Sequence, residues 1–236
     1  MPSSPVSKRP RADSVLARSP SPQGDPSRSR LIHDAGTEVA RATKSQLRSL
    51  VRARIGSMSP ADRSSADRRI CGYLADLTEE LGVVSVLAYL ALPDEVKVDG
   101  FLSTMVERGC RVLLPRVVGG DRLRYGGWRP TVKLSRDDAG VLAPEAASPG
   151  DRPRGAGLLV VPGRAFDTTG GRLGRGRGYY DRLLMAGAGG RLVVGAAYEC
   201  QVVEHVPREE HDRDVDCLVT ETGCRRLRDG PAGTLA

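Results

Sequence analysis

Between Pro162 and Asp181 the chain reads PGRAFDTTGGRLGRGRGYYD, directly after the apolar run Leu158 to Val161. A loop at the C-terminal end of a strand is where open α/β sheets bind ligands. Here Gly174, Gly176 and Gly178 alternate with Arg175 and Arg177. Glycines let backbone N–H groups approach an anion, and the guanidinium groups add charge beside them, so in chemical terms the segment is a phosphate cradle. A helical pattern from Tyr179 onward adds the partial positive charge of a helix N-terminus. Two familiar fingerprints do not fit. A P-loop requires Lys and then Ser or Thr where this chain has Arg177-Gly178, and the dinucleotide pattern requires G-x-G-x-x-G where it has G-x-G-x-G. The alternatives are a flexible Gly-rich loop or an RGG-like RNA-contacting tract. RGG tracts are repetitive and set in disorder, whereas this is a single copy between a strand and a helix.

Lys44 and Arg48 are four apart, so on a helix they share a face and can converge on a polyphosphate or simply be solvated. Glu95 follows Pro93 just past an apolar run, at a sheet's ligand-binding edge or in a plain surface loop. Asp212, Asp214 and Asp216 alternate. Three carboxylates so spaced can hold a hard cation through oxygen, although an extended lead-in to a strand gives the same alternation. An EF-hand is excluded, since the sixth position from Asp212 is Cys217 and the twelfth is Gly223. His33, His205 and His211 have no partnered Ser or Cys motif, and covalent catalysis is not indicated.

The elements that must position these residues are legible in part. Val39, Leu47, Leu50 and Val51 form a helical stripe ending at Gly56, and Ser59-Pro60 reads as an N-cap and first turn of a second helix to about Glu80. Strands are expected at Val83 to Leu90, Arg111 to Pro115, Leu158 to Val161, Leu192 to Ala196 and Leu218 to Thr220, with helices at Val98 to Arg108 and Tyr179 to Ala186 between them. Alternating strands and helices predict a largely parallel sheet covered on both faces. Gly119 to Gly155 offers only a short hairpin around Leu123 to Trp128. Residues 1–36, rich in Pro, Ser and Arg, read as a disordered arm rather than an amphipathic transit peptide, residues 37–224 as one domain, and 225–236 as a frayed tail.

The 236 residues include 39% apolar and 28% charged, which fits a globular chain. The longest apolar run, Val83 to Leu92, falls short of the ~20 residues that span a bilayer. Five cysteines without a C-x-x-C pair or a preceding signal h-region predict a cytoplasmic protein. The net charge of +7 lies largely in the arm, and 4% aromatic residues supply no stacking platform, so no nucleic-acid partner is expected.

The string Gly171-Arg172-Leu173-Gly174-Arg175-Gly176-Arg177-Gly178-Tyr179-Tyr180-Asp181, preceded by Pro162-Gly163 and Phe166-Asp167, resembles the signature of 5-formyltetrahydrofolate cyclo-ligase, also called methenyltetrahydrofolate synthetase. The similarity runs from about Lys44 to Thr220 and takes in Pro93-Asp94-Glu95, Leu114-Pro115 and Asp212 to Asp216. It implies ATP contacts at Lys44, Arg48, Arg172, Gly174, Arg175, Gly176, Arg177, Gly178 and Tyr180. It further implies folate contacts at Glu95, Arg175 and Tyr179, catalytic roles for Arg175 and Tyr179, and magnesium ligands at Asp181 and Asp212. An acid in a helix's first turn, like Asp181, is also favourable without a metal. The activity implied is ATP- and magnesium-dependent conversion of 5-formyltetrahydrofolate to 5,10-methenyltetrahydrofolate by a monomer. Other readings are a diverged paralogue acting on another small molecule and an Arg-rich RNA-binding protein. Three positions depart from the family pattern: Arg177 stands where Lys is usual, Val98 where Thr is common, and the segment before Pro144 lacks a Glu. The last two are expected on the folate side. The fold expected is a single α/β domain with a mixed or mostly parallel sheet flanked by helices in a Rossmann-like three-layer arrangement.

Overall fold

The computed structural model describes residues 43–120, 122–145, 157–187, 191–209 and 212–228. The expected arm, and the tail beyond residue 228, lie outside them. Helix α1 covers 43–57. Helix α2 (Pro60–Glu80) starts where Ser59 Oγ accepts from Asp62 N at 3.1 Å, and it buries Ala66, Ile70, Leu74 and Leu77 along one stripe. Such a cap contributes about 1 kcal/mol.

Strands β1 (Ser85–Leu87), β2 (Arg111–Val118), β6 (Leu158–Pro162), β9 (Leu192–Ala196) and β11 (Cys217–Thr220) run parallel. Two antiparallel strands, β3 (Arg122–Gly127) against β2 and β12 (Gly223–Arg226) against β11, complete a seven-stranded sheet of order β12-β11-β9-β6-β1-β2-β3. Its two faces carry separate cores. Val86, Val160, Val194 and Val219 pack with α1, α2 and α3 (Asp99–Glu107), whereas Leu87, Leu159, Val161 and Leu218 pack with Leu183 and Leu184 of α4 (Tyr179–Gly187). The arrangement is therefore a three-layer α/β domain.

The chain goes outward from β1 to β2 in one direction and from β6 to β9 in the other. Where neighbouring strands lead away in opposite directions, their C-terminal ends leave a crevice. Here it opens after Leu87 and Pro162.

Two small hairpins furnish this crevice, and neither was legible as an element. Strands β4 (Leu134–Arg136) and β5 (Leu142–Pro144) pair antiparallel, and their turn is stapled by buried Asp137, which accepts from Ala139 N, Val141 N and Val117 N at 2.8–2.9 Å. Strands β7 (Ala165–Asp167) and β8 (Arg172–Leu173) interrupt the Gly/Arg segment, and β10 (Val202–Val203) pairs with β7. Phe166 is wholly buried, and a Cβ on Gly195 would stand 2.5 Å from its ring. The missing side chain lets β7 lie on β9.

Strand β2 runs on to Val118, past the expected Pro115, and β1 starts only at Ser85; two further boundaries differ for a clear reason. The first strand stops at Leu87, because Ala88 and Tyr89 are buried in a loop where Tyr89 OH donates to Val96 O at 3.0 Å. The domain does not end at 224: Arg225 and Arg226 belong to β12, and Leu227 N donates to Asp216 O at 2.8 Å, so the frayed tail cannot begin at 225. Among the described residues no helix is long and apolar enough to cross a membrane.

Candidate active site

The crevice holds a cavity of about 380 Å3. Its walls come from the segments after β1 (Leu90, Leu92, Glu95) and β6 (Gly163, Arg164), from α1 (Arg48, Arg52), from the β4–β5 turn and from the Gly/Arg loop with the start of α4. Of the residues singled out in the sequence, Arg48, Glu95, Arg172, Gly174, Arg175, Arg177, Gly178, Tyr179, Tyr180 and Asp181 all line it. Lys44, Gly176 and Asp212 do not.

The loop from Gly174 to Gly178 is held open by its neighbours. Arg48 Nε donates to Gly174 O at 2.9 Å, Arg177 donates to Ala139 O at 3.4 Å, and Gly176 and Gly178 take φ of +95° and +64°, a region that favours glycine. Beneath it, Asp167 is fully buried and anchors the β7–β8 turn, accepting from Thr169 N and Oγ1, Gly171 N, Val206 N and Arg208. Burial alone would raise its pKa, but these bonds outweigh burial and hold it at about 2.

The arginines are paired across the cavity. Arg175 Nε donates to Glu95 Oε1 at 2.8 Å and its Nη2 bonds Asp94, which also binds the buried Arg164. Burial opposes the Asp94 charge, yet the two guanidiniums pull its pKa below the ordinary carboxylate range. Glu95 is fixed by Leu92 N, which donates to Oε2 at 3.0 Å. Arg172 is buried under the loop, donating to Pro162 O at 3.2 Å and to Asp181, with its guanidinium 5.9 Å from the Tyr180 ring centre. Burial, reinforced by the charge of Glu95, pushes the Tyr180 phenol far up, so it stays neutral. Tyr179 OH reaches Gly120 O at 3.5 Å, and the Arg182 guanidinium lies 5.1 Å from its ring.

Lys44 and Arg48 share a face of α1 but meet different partners. Lys44 is buried and bonds Asp212 Oδ2 at 2.7 Å and Glu209 Oε1 at 3.2 Å. Asp212 therefore faces Lys44, and of the two aspartates only Asp181 borders the cavity. Among the described residues no three His, Cys, Asp or Glu side chains gather as a metal cage. A divalent ion here would depend on one or two carboxylates and ligand phosphates, a donor set that suits magnesium.

Sequence reasoning gave no site role to Arg164, Arg52, Asp94 or the 139–141 turn. Arg164 had a usable signal, since it stands two residues past a fully buried parallel strand at the switch in strand order. Val98, expected on the folate side, is instead wholly buried at the N-cap of α3. This departure therefore lies in the core and not among the described residues that line the cavity.

Comparison with known proteins agrees with this geometry. The model of the 5-formyltetrahydrofolate cyclo-ligase family matches residues 40–221. The 5-formyltetrahydrofolate cyclo-ligase of Mycolicibacterium smegmatis is 31% identical over 176 residues, 72% of this chain and 89% of that protein. The solution structure of Aquifex aeolicus 5,10-methenyltetrahydrofolate synthetase superposes with a TM-score of 0.69 at 34% identity, covering 81% of this chain and 96% of that one. The 5,10-methenyltetrahydrofolate synthetase of Mycoplasma pneumoniae shares the fold, with a TM-score of 0.59 at 22% identity over 75% of this chain and 98% of that one. With its signature loop, its strand order and these matches in agreement, the chain belongs to the 5-formyltetrahydrofolate cyclo-ligase family.

Proposed function

We propose that this enzyme converts 5-formyltetrahydrofolate to 5,10-methenyltetrahydrofolate at the expense of ATP. The observation that carries the reading is the convergence of Arg48, Arg164, Arg172, Arg175 and Arg177 with Glu95 on one cavity. Such a set suits a polyanion beside a polar heterocycle. In the proposed reaction the formyl oxygen attacks the γ-phosphorus and ADP leaves. N10 then attacks the activated carbon and loses its proton, and the carbon–oxygen bond breaks to release phosphate.

This chemistry asks a protein mainly for positioning and charge stabilisation. Arg175 would trade its bonds to Asp94 and Glu95 for the transferring phosphoryl group, freeing Glu95 to orient the folate. Arg177 and the backbone of Gly174 to Gly178 would hold the phosphates, with Arg172 and Arg48 keeping the loop in shape. Tyr179 would position the substrate from the cavity wall. Magnesium, held by the phosphates and Asp181, would supply charge neutralisation. Asp212 would act through Lys44, which would reach the nucleotide only on leaving that carboxylate.

Heavy-oxygen label in the formyl group tests the route. The label is expected in inorganic phosphate, with one ADP formed per product. Label released as water would exclude phosphorylation of the formyl oxygen.

A further inference from the structure

The described cysteines fall into two groups. Cys71 and Cys110 lie 3.4 Å from the carbonyl oxygens of Lys97 and Val83, and Cys200 lies 3.7 Å from the Met58 sulfur. Cys217 and Cys224 instead neighbour each other. In the β11–β12 hairpin Cys217 pairs with Arg226 and Val219 with Cys224, so the two cysteines are diagonal neighbours on one face. Leu227 N donates to Asp216 O at 2.8 Å, and by alternation both cysteine rows are non-hydrogen-bonded, where side chains of an antiparallel pair stand closest. Cys224 is exposed, whereas Cys217, one diagonal step away, is buried in the core.

Each thiol is the leading influence on the other's ionisation. The Cys217 thiol supports a thiolate at Cys224 and lowers its pKa to about 7, with burial and Glu80 opposing and Arg226 assisting. The Cys217 pKa is correspondingly raised. Glu80 and Arg226, the two charged groups beside Cys224, pair with each other at 3.1 Å. An exposed, easily ionised thiol with a second thiol beside it is the arrangement of a redox-reactive pair.

We propose that Cys224 and Cys217 form a reversible thiol–disulfide modification site on the outer edge of the sheet, oxidised by small disulfides such as oxidised glutathione. The Cys224 thiolate attacks one sulfur of the oxidant, and a glutathione thiolate leaves. The resulting mixed disulfide is attacked at the Cys224 sulfur by the Cys217 thiolate, and the second glutathione leaves. Two protein thiols thereby lose two electrons and two protons, and one oxidised glutathione becomes two reduced ones. Diagonal neighbours stand roughly 7–8 Å apart at Cα, just beyond the ~7 Å that a disulfide spans without backbone movement. Bridging must slide β12 a short way along β11, which it can follow because it is an edge strand paired on one side only. A bond made under that strain is easily reduced.

The test incubates the full chain with oxidised glutathione, quenches with acid, alkylates and maps the peptides. The expected product is one Cys217–Cys224 bridge within a single chain, lighter than the starting protein by two hydrogens and restored by dithiothreitol. Cys217→Ala should stop at a glutathione adduct on Cys224, and Cys224→Ser should form no bridge. A wild-type chain that keeps glutathione on Cys224, leaves Cys217 free, or links Cys224 between two chains overturns the proposal. The wild-type map decides by itself if the Cys217 variant fails to fold.

Discussion

Arg172 and Arg175 stand three residues apart in one loop and carry different burdens. The Arg172 side chain is 1% exposed and bonded to Asp181, whereas that of Arg175 is 34% exposed and reaches across the cavity. Removing one member of a buried pair strands the other charge and costs about 3–5 kcal/mol. Arg172→Ala should therefore lower the unfolding midpoint sharply. Arg175→Ala should lower the midpoint less than Arg172→Ala, because this guanidinium is partly solvated even though its partner Glu95 is buried, while lowering turnover by ~10²-fold as a lost charge-stabilising donor. Thermal melts and steady-state rates on both variants separate the two roles. Asp167 makes a pH prediction. A carboxyl at about 2 when folded, below its ordinary 3.8, contributes stability that is fully present above about pH 4 and lost as pH falls through 2. Asp167→Asn should thus be destabilised by about 2 kcal/mol at neutral pH, and the gap to wild type should narrow on acidification in urea titrations.

The elements differ in how openly the sequence declares them, for physical reasons. Strands β6 and β9 are buried on both faces and read as unbroken apolar runs, and α2 announces itself through Ser59-Pro60 and its apolar stripe. The β7–β8 and β4–β5 hairpins have strands of two or three residues, and what holds them is a buried aspartate in each turn, a polar signal with no periodicity. Strand β12 reads as polar because it is an exposed edge. The Gly/Arg loop at the cavity was legible because its Gly and Arg residues stand in consecutive positions, whereas the Arg164–Asp94 pair spans 70 residues and exists only in the fold. Gly195→Ala tests how the hairpin is seated. A Cβ 2.5 Å from the buried Phe166 ring is expected to cost about 1–3 kcal/mol and to raise the KM for ATP by shifting the cradle, and an unchanged KM would show that the loop is insulated from β7.

At the scale of the molecule, the described residues that line the cavity fall between 48 and 181, held on a largely parallel sheet whose reversal of strand order opens the crevice. A chain lacking residues 1–36 is expected to keep its turnover within about tenfold, since none of the site residues singled out in the sequence lies in that segment. The central claim is that the cavity couples ATP to closure of a formylated folate through Arg175. The most direct measurement is the rise in absorbance of 5,10-methenyltetrahydrofolate from 5-formyltetrahydrofolate, with and without ATP, in wild type and Arg175→Ala. The account predicts formation in wild type that requires ATP, and a rate in folded Arg175→Ala lower by ~10²-fold. Product formed at the same rate without ATP, or an undiminished rate in Arg175→Ala, would contradict it.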